Sequence, residues 1–172
     1  MASALKNLST YDDSNIPSAE PFTFGIVVSE WNTHITHALY EGCFATLTNH
    51  GAKAENIRTV QVPGSFELPA AAKMLAASKR FDAIICLGCV IKGETRHDEY
   101  INQAVATGLT GLSIASGIPF IFGLLTANYE QQAKDRAGGR HGNKGVEAAV
   151  TAIRMAALRK ELSQPSKSIG FQ

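Results

Sequence analysis

The sequence has little that would attract a polyanion or a membrane. Its 16 Lys and Arg residues are almost balanced by 15 Asp and Glu residues, and the formal net charge is +1. Binding to nucleic acid or to an anionic surface usually requires a basic excess or a basic stripe. No stretch is apolar enough to span a bilayer, and the N-terminus is too polar for a signal peptide. We therefore expect a soluble, cytoplasmic protein that binds neither nucleic acid nor membrane.

Cysteine is also scarce. Three cysteines in 172 residues argue against a disulfide framework. Cys86 and Cys89 have the C-x-x-C spacing, but they lie within a predicted strand, where residues three apart point to opposite faces. A redox C-x-x-C normally opens a helix, and no second cysteine pair completes a zinc site. The thiols are therefore predicted to be small, buried hydrophobic groups.

The rest of the sequence alternates apolar strands with helices. The predicted strands are residues 22–28, 57–62, 82–91 and 119–125, and the predicted helices are 32–49, 66–78, 97–116, 128–137 and 144–162. Repeated βα units imply right-handed crossovers, so the predicted fold is α/β, a three-layer sandwich with a four-stranded parallel sheet and helices on both faces. Residues 22–162 form one domain, 1–21 an N-terminal arm and 163–172 a tail.

Polar and aromatic residues follow the predicted strands at their carboxyl ends. In an open α/β sheet these ends meet at one edge, and ligands bind in the crevice outside it. Trp31 follows the first strand and Phe66 follows the second, so the two rings could sandwich a flat heterocycle. The alternative is that both rings merely plug the end of the sheet. Their shared position at adjacent strand ends favours a ligand.

The loop after the third strand, residues 92–97, combines an anion site with a titratable group. Backbone N–H groups after Gly93 open a helix and can bind phosphate, and the imidazole of His97 can exchange protons near neutral pH. His97 by itself could be a solvated residue at a helix start. Arg136 and Lys144 flank a glycine-rich break at 138–142 and could bind an anion, although basic residues near helix ends are common.

Two other patterns are interpreted as structural. The glycine-rich string 138–145 lacks the Gly-Lys-Ser/Thr ending of a P-loop and follows a helix, which argues against a nucleoside triphosphatase. His34 and His37 lie one turn apart, but no third ligand is evident nearby, so a surface pair is favoured over a metal site. No metal is predicted.

Taken together, the motifs resemble those of the 6,7-dimethyl-8-ribityllumazine synthase family. The matching segments run in order from about Phe22 to Leu158 and are Trp31-Asn32, the segment Pro63-Gly64-Ser65-Phe66-Glu67-Leu68-Pro69, residues 88–97, residues 122–126, Arg136-Ala137-Gly138 and Asn143-Lys144-Gly145. The resemblance implies a flavodoxin-like sheet. It also implies condensation of 5-amino-6-(D-ribitylamino)uracil with 3,4-dihydroxy-2-butanone 4-phosphate, the penultimate step of riboflavin biosynthesis, without any cofactor.

The resemblance also implies a role for individual residues. Trp31 would stack on the pyrimidine, with Asn32 near the ribityl chain. The other pyrimidine contacts would be Ser65, Phe66, Glu67, Val90, Ile91 and Lys92. His97 would be the acid/base group, with the phosphate on the backbone of Glu94 and Thr95 and on Arg136. Further contacts near that arginine would be Lys144 and Glu147, with Glu147 orienting Arg136. Phe122 would reach the site of a neighbouring subunit.

For assembly, the resemblance implies a homo-oligomer. The linker 138–143 is as compact as in family members that form sixty-subunit shells from pentamers, and the arm would run along a neighbour's sheet edge. The resemblance also implies a riboflavin synthase as a partner.

Two alternatives have the same fold. One is a non-catalytic flavin-binding, lumazine-binding or shell-forming protein, which would not need His97, Arg136 and the Gly93–Thr95 loop. The other is a flavodoxin-like electron carrier, whose phosphate loop would be expected where Trp31 stands.

Overall fold

A parallel sheet forms the centre of the molecule. The computed structural model describes residues 11–163, so the first part of the predicted arm and the tail beyond Ser163 lie outside the described residues. The strands are β1 (Phe24–Ser29), β2 (Ile57–Val62), β3 (Ala83–Ile91) and β4 (Phe120–Ala127). All pairings are parallel, in the order β2-β1-β3-β4. The α/β prediction is therefore confirmed.

Helices cover both faces of this sheet. They are α1 (Thr33–Asn49), α2 (Leu68–Ser78), α3 (His97–Ser116), α4 (Glu130–Asp135) and α5 (Lys144–Leu162). The apolar sides of α1 and α5 form one core with alternate residues of β1 and β3, such as Ile26 and Ile85. Those of α2 and α3 form a second core on the opposite face, around Val27 and Ile84. Because β1 is covered on both faces, all of its residues are buried.

The predicted boundaries differ from the structure mainly in short elements. The first strand begins at Phe24 instead of Phe22, and a 3-10 turn over Ser65–Glu67 precedes α2. The helix predicted over 128–137 is shortened to α4, and the glycine-rich break forms an antiparallel hairpin of β5 (Ala137–Gly139) and β6 (Gly142–Asn143). Gly138 and Gly142 have φ values of 110° and 83°, which suit glycine best. Strands this short carry no detectable alternation, so sequence periodicity missed them.

The described part of the predicted arm contacts its own chain. Ala19 and Phe22 are buried, and the Ala19 N–H donates to the His50 carbonyl at 2.8 Å. The Thr23 N–H and hydroxyl both donate to Asp82 Oδ2. Residues 19–23 therefore close one end of the sheet in their own subunit, whereas an arm on a neighbouring subunit stays a prediction. Within residues 11–163, no helix combines the length and the apolar character needed to cross a membrane.

Helix α5 begins in direct contact with the backbone of α1. Asn143 accepts a hydrogen bond from the Gly145 N–H at 2.8 Å and donates one to the Ala38 carbonyl at 2.9 Å. A Cβ atom at Gly145 would overlap the carbonyl oxygen of Leu39. This close approach fixes the start of α5 against α1, and with it the residues of the first turn of α5.

We expect Gly145→Ala to lower the free energy of unfolding by about 3 kcal/mol or more, because a methyl group cannot displace a backbone carbonyl inside a packed interface. Gly111→Ala is the matched control. It lies in α3, its added Cβ would have no neighbour within 4 Å, and it should raise the stability by up to about 1 kcal/mol. Chemical denaturation of both variants measures the difference, and equal effects would contradict the assigned contact.

Candidate active site

A cavity of about 470 Å³ opens at the carboxyl ends of β1, β2 and β3. It lies at the point where the chain connections from β1 and β3 diverge, which is the usual ligand site of this topology. Of the residues predicted for the site, the structure places these in the cavity wall: Trp31, Asn32, Ser65, Phe66, Glu67, Val90, Ile91, Thr95 and His97. Nine residues from the ends of strands and from the segments that follow them are thus brought together.

Two aromatic rings form an exposed wall of this cavity. Trp31 is 74% exposed and Phe66 is 59% exposed. Rings that plug the end of a sheet would be covered, so these values do not fit the structural alternative. The Trp31 N–H donates to the Pro63 carbonyl at 3.1 Å and the Glu30 N–H donates to the Val62 carbonyl at 2.8 Å, which joins the two loops. The pair offers flat apolar surface to a planar ligand.

The floor of the cavity is more polar and tightly packed. Ser65 is buried, with its Oγ 3.5 Å from Ser29 Oγ. Gly88 leaves room for Ser65, because a Cβ there would lie 2.6 Å from Ser65 Oγ. Val90 is buried and Ile91 is half-buried at the end of β3. Hydroxyl groups below and apolar side chains beside a ring site suit a ligand that carries both a heterocycle and a polyol.

The start of α3 forms the opposite side. Gly93, Thr95 and His97 line the cavity there, and the His97 side chain is exposed. The first N–H groups of a helix have no partner within the helix and favour anions. Arg96 is not in the cavity wall, and its guanidinium is bonded to Glu99 Oε2 at 2.7 and 2.9 Å. An anion and a proton-transferring group can therefore meet at this helix start.

Lys92 and Glu94 are not in the cavity wall. Both are exposed, and the Lys92 N–H donates to the Ala127 carbonyl at 2.8 Å, which extends the β3–β4 pairing. Four wall residues were not predicted to belong to the site, namely Gly64, Cys89, Asp98 and Ile101. Ile101 lies one turn after His97 on α3, so helical spacing from His97 could have found it.

The remaining predicted residues lie outside this cavity. Arg136 Nη2 is 3.0 Å from Glu147 Oε1, and Lys144 Nζ is 3.3 Å from Glu147 Oε2. Arg136 Nη1 also donates to the His141 carbonyl at 3.0 Å. Glu147 thus holds two cations at the start of α5, and we call Arg136, Lys144 and Glu147 the cationic cluster. Phe122 is 39% exposed on β4 and is likewise absent from the cavity wall.

The cysteines are buried, as predicted. Cys86 and Cys89 belong to the cores on opposite faces of the sheet. Burial raises the pKa of Cys89 to about 12 and raises the pKa of Cys43 and Cys86 as well. Because only the thiolate is an effective nucleophile, these thiols are inert near neutral pH. Cys89 therefore shapes the cavity without chemistry of its own.

His34 and His37 each have an acidic partner on the surface. His34 Nε2 is 3.1 Å from Glu130 Oε1, and His37 Nε2 is 3.3 Å from Glu41 Oε1. Within residues 11–163, no group of three or more His, Cys, Asp or Glu side chains is arranged to hold a metal ion.

We expect the thiols of the folded protein to resist iodoacetamide at about pH 8, where free cysteine reacts readily, because burial keeps them protonated and covered. After denaturation in guanidinium all 3 cysteines should be alkylated. Intact-mass measurement before and after denaturation counts the labels. Rapid labelling of a single site in the folded protein would show that Cys89 is accessible and has an ordinary pKa.

Comparisons with known proteins identify the family of the chain. The family model described as 6,7-dimethyl-8-ribityllumazine synthase matches residues 21–160. The protein with that name from Parabacteroides distasonis is 56% identical over 155 residues, covering 90% of this chain and 97% of its own. Those from Flavobacterium psychrophilum and Cytophaga hutchinsonii are 54% and 53% identical, covering 94% and 91% of this chain and 85% and 98% of their own. The chain belongs to the 6,7-dimethyl-8-ribityllumazine synthase family.

Proposed function

We propose that the strand-end cavity is the pyrimidine half of a lumazine synthase active site. The family assignment makes the chain a transferase of riboflavin biosynthesis, which condenses 5-amino-6-(D-ribitylamino)uracil with 3,4-dihydroxy-2-butanone 4-phosphate to 6,7-dimethyl-8-ribityllumazine. The observation that carries the site proposal is the exposed pair Trp31 and Phe66 at the mouth of a cavity that also contains His97. The relatives do not favour a non-catalytic binder.

The pyrimidine ring stacks between the two aromatic side chains. A uracil ring is flat and polar at its edges, so it gains area from Trp31 and Phe66 and hydrogen bonds from groups around them. Ser65 and Glu67 lie on the β2 side of the same cavity and supply hydroxyl and carboxylate groups for the ribityl chain. Val90 and Ile91 close the apolar side of the ring.

The phosphate of the second substrate binds at the start of α3. The N–H groups after Gly93 and the helix dipole stabilise its negative charge. His97 lies in the adjacent first turn, where it removes a proton as the amine attacks the ketone and returns one as the first water leaves. Inorganic phosphate is then eliminated, and a second water leaves as the ring closes. Much of the rate comes from holding the two substrates together, since an amine and a ketone condense slowly unaided once they are in contact.

A cation for the phosphate has to come from elsewhere. None of the cavity-lining residues within the described part of the chain is Lys or Arg, while Glu67 and Asp98 bring carboxylates. We place the cationic cluster and Phe122 of one subunit at the cavity of its neighbour. Arg136 suits this role because Glu147 and the His141 carbonyl hold its guanidinium in place, so its planar fork is oriented before the phosphate arrives.

This arrangement requires an oligomer, which we propose is a cyclic pentamer assembled into a shell of sixty chains. The compact hairpin β5–β6 keeps the linker before α5 short. Three of the six residues of the edge strand β2 are exposed, and the N-terminal arm of a neighbour would cover its unpaired backbone groups. We also propose that the protein is cytoplasmic and that it associates with a riboflavin synthase.

The purified protein should produce the fluorescence of the lumazine when the two substrates are mixed.

His97→Ala should slow turnover by about 10²-fold or less, because general acid–base catalysis contributes about 10² to 10⁴ and orientation of the substrates persists. His37→Ala is a matched control, since its exposed imidazole pairs with Glu41 outside the cavity. Unchanged turnover in His97→Ala would remove His97 from the mechanism.

The shared site predicts recovery of activity in mixed oligomers. Co-expressed His97→Ala and Arg136→Ala chains should regain activity above the mean of the two separate variants, because random assembly leaves roughly one interface in four with both groups intact. Arg136→Ala alone should raise KM for the butanone phosphate and leave KM for the pyrimidine little changed.

The control mixture combines Trp31→Ala with His97→Ala. Both residues belong to the cavity of one chain, so every site in this mixture has one defect and no recovery is expected. Recovery in the control, or its absence in the first mixture, would contradict the division of the site between two subunits.

A further inference from the structure

Strand β3 continues after its partner β1 has left the sheet. The pairing between them ends with Val28 opposite Leu87, whereas β3 runs to Ile91. A buried backbone carbonyl without a partner is costly, so the end of β3 needs a donor on the β1 side. The carbonyl of the buried residue Cys89 receives one from the side chain of Asn32, whose Nδ2 lies 3.1 Å away. The Asn32 side chain thus supplies a hydrogen bond on the side where β1 no longer pairs with β3.

The backbone of Asn32 is also unusual. Its φ of 61° and ψ of 46° lie in the left-handed region, and no other non-glycine residue within 11–163 has a positive φ. Asparagine enters this region more readily than most residues. The Asn32 carbonyl accepts bonds from the N–H groups of Ile35 and Thr36 at 2.8 and 3.1 Å, so the left-handed residue turns the chain directly into α1.

Trp31 lies between these anchors. On the β2 side, the Glu30 and Trp31 N–H groups are bonded to the carbonyls of Val62 and Pro63. On the β3 side, the side chain of Asn32 supplies the bond. The indole is 74% exposed and gains little support from packing. Its direction is therefore set by its own backbone, which is held from both sides.

We propose that Asn32 is a positioning residue, whose amide bond to the Cys89 carbonyl fixes the turn and thereby aims the indole of Trp31 across the cavity. This role goes beyond the contact with the ribityl chain that the family resemblance implies. This role rests on the proposed function, because the indole that Asn32 orients is the ring that stacks on the pyrimidine substrate. A loose turn would leave the indole mobile and weaken ring binding without removing any group that takes part in proton transfer.

The test separates the effect of the Asn32 side-chain amide from the effect of its left-handed backbone conformation. Asn32→Gly keeps the left-handed backbone but has no donor. Asn32→Asp keeps the size and much of the left-handed tolerance but presents carboxylate oxygens to the Cys89 carbonyl. The controls are Asn49→Gly and Asn49→Asp, because Asn49 is exposed at the other end of the same helix. Thermal melts establish which variants are folded, and the Asp variant carries the test if the Gly variant is not.

Two measurements report on the orientation of the Trp31 indole. Trp31 is the single tryptophan, so its fluorescence anisotropy in the ligand-free protein should fall in both Asn32 variants and not in the Asn49 controls. KM for the pyrimidine should rise about tenfold, the effect of losing one hydrogen bond, while kcat should fall less than about threefold and KM for the butanone phosphate should stay unchanged.

Asn32→Gly with the anisotropy and pyrimidine KM of the unmodified protein would overturn the proposal, because it would show that backbone conformation alone suffices. Equal increases in both KM values would also overturn it. If the unmodified protein formed no lumazine, the proposed function would fail, whereas the anisotropy comparison would still decide the role of Asn32.

Discussion

The early exit of β1 from the sheet is the constraint on which the site depends. Strand β1 ends at Ser29, opposite Val62 at the end of β2, whereas β3 continues on the other side to Ile91. The chain after β1 turns to the α1 face, while the chains after β2 and β3 lead to α2 and α3 on the opposite face. The loops therefore separate above the shortened strand, and the space between them is the cavity. The sheet forms the floor of the cavity, and the loops form its walls.

The same topology divides the chemistry into two parts. The loops after β1, β2 and β3 contribute rings, hydroxyl groups and His97 to one cavity. The segment after β4, which is an edge strand, leads through α4 and the hairpin to the cationic cluster at the start of α5. The close contact of Gly145 with α1 holds that cluster in place. The two parts do not meet within one chain, which is the physical basis for proposing a shared site.

Among the described residues, the titratable side chains in the cavity wall are those of His97, Glu67, Asp98 and Cys89. The pKa of Cys89 is raised by burial, which leaves its thiol protonated near neutral pH, and Ser65 is buried against Ser29. In the proposed function, catalysis depends mainly on the relative placement of two substrates. Exposed aromatic side chains are suited to this task only when their backbone is fixed. The bonds from Trp31 to Pro63 and from Asn32 to Cys89 supply that order.

The sequence by itself determined the α/β class, the parallel sheet and the cavity residues near Trp31, Phe66 and His97. Continuous apolar strands such as 83–91 indicate burial on both faces, and the carboxyl ends of parallel strands must share an edge. Only the tertiary structure decided the rest. The hairpin is too short for periodicity, and Asn32 finds its partner 57 residues away in Cys89. The separation of Arg136 from the cavity follows from the spatial order of the strands, β2-β1-β3-β4. Local sequence patterns carry no information on that order, because it is set by which faces pack together.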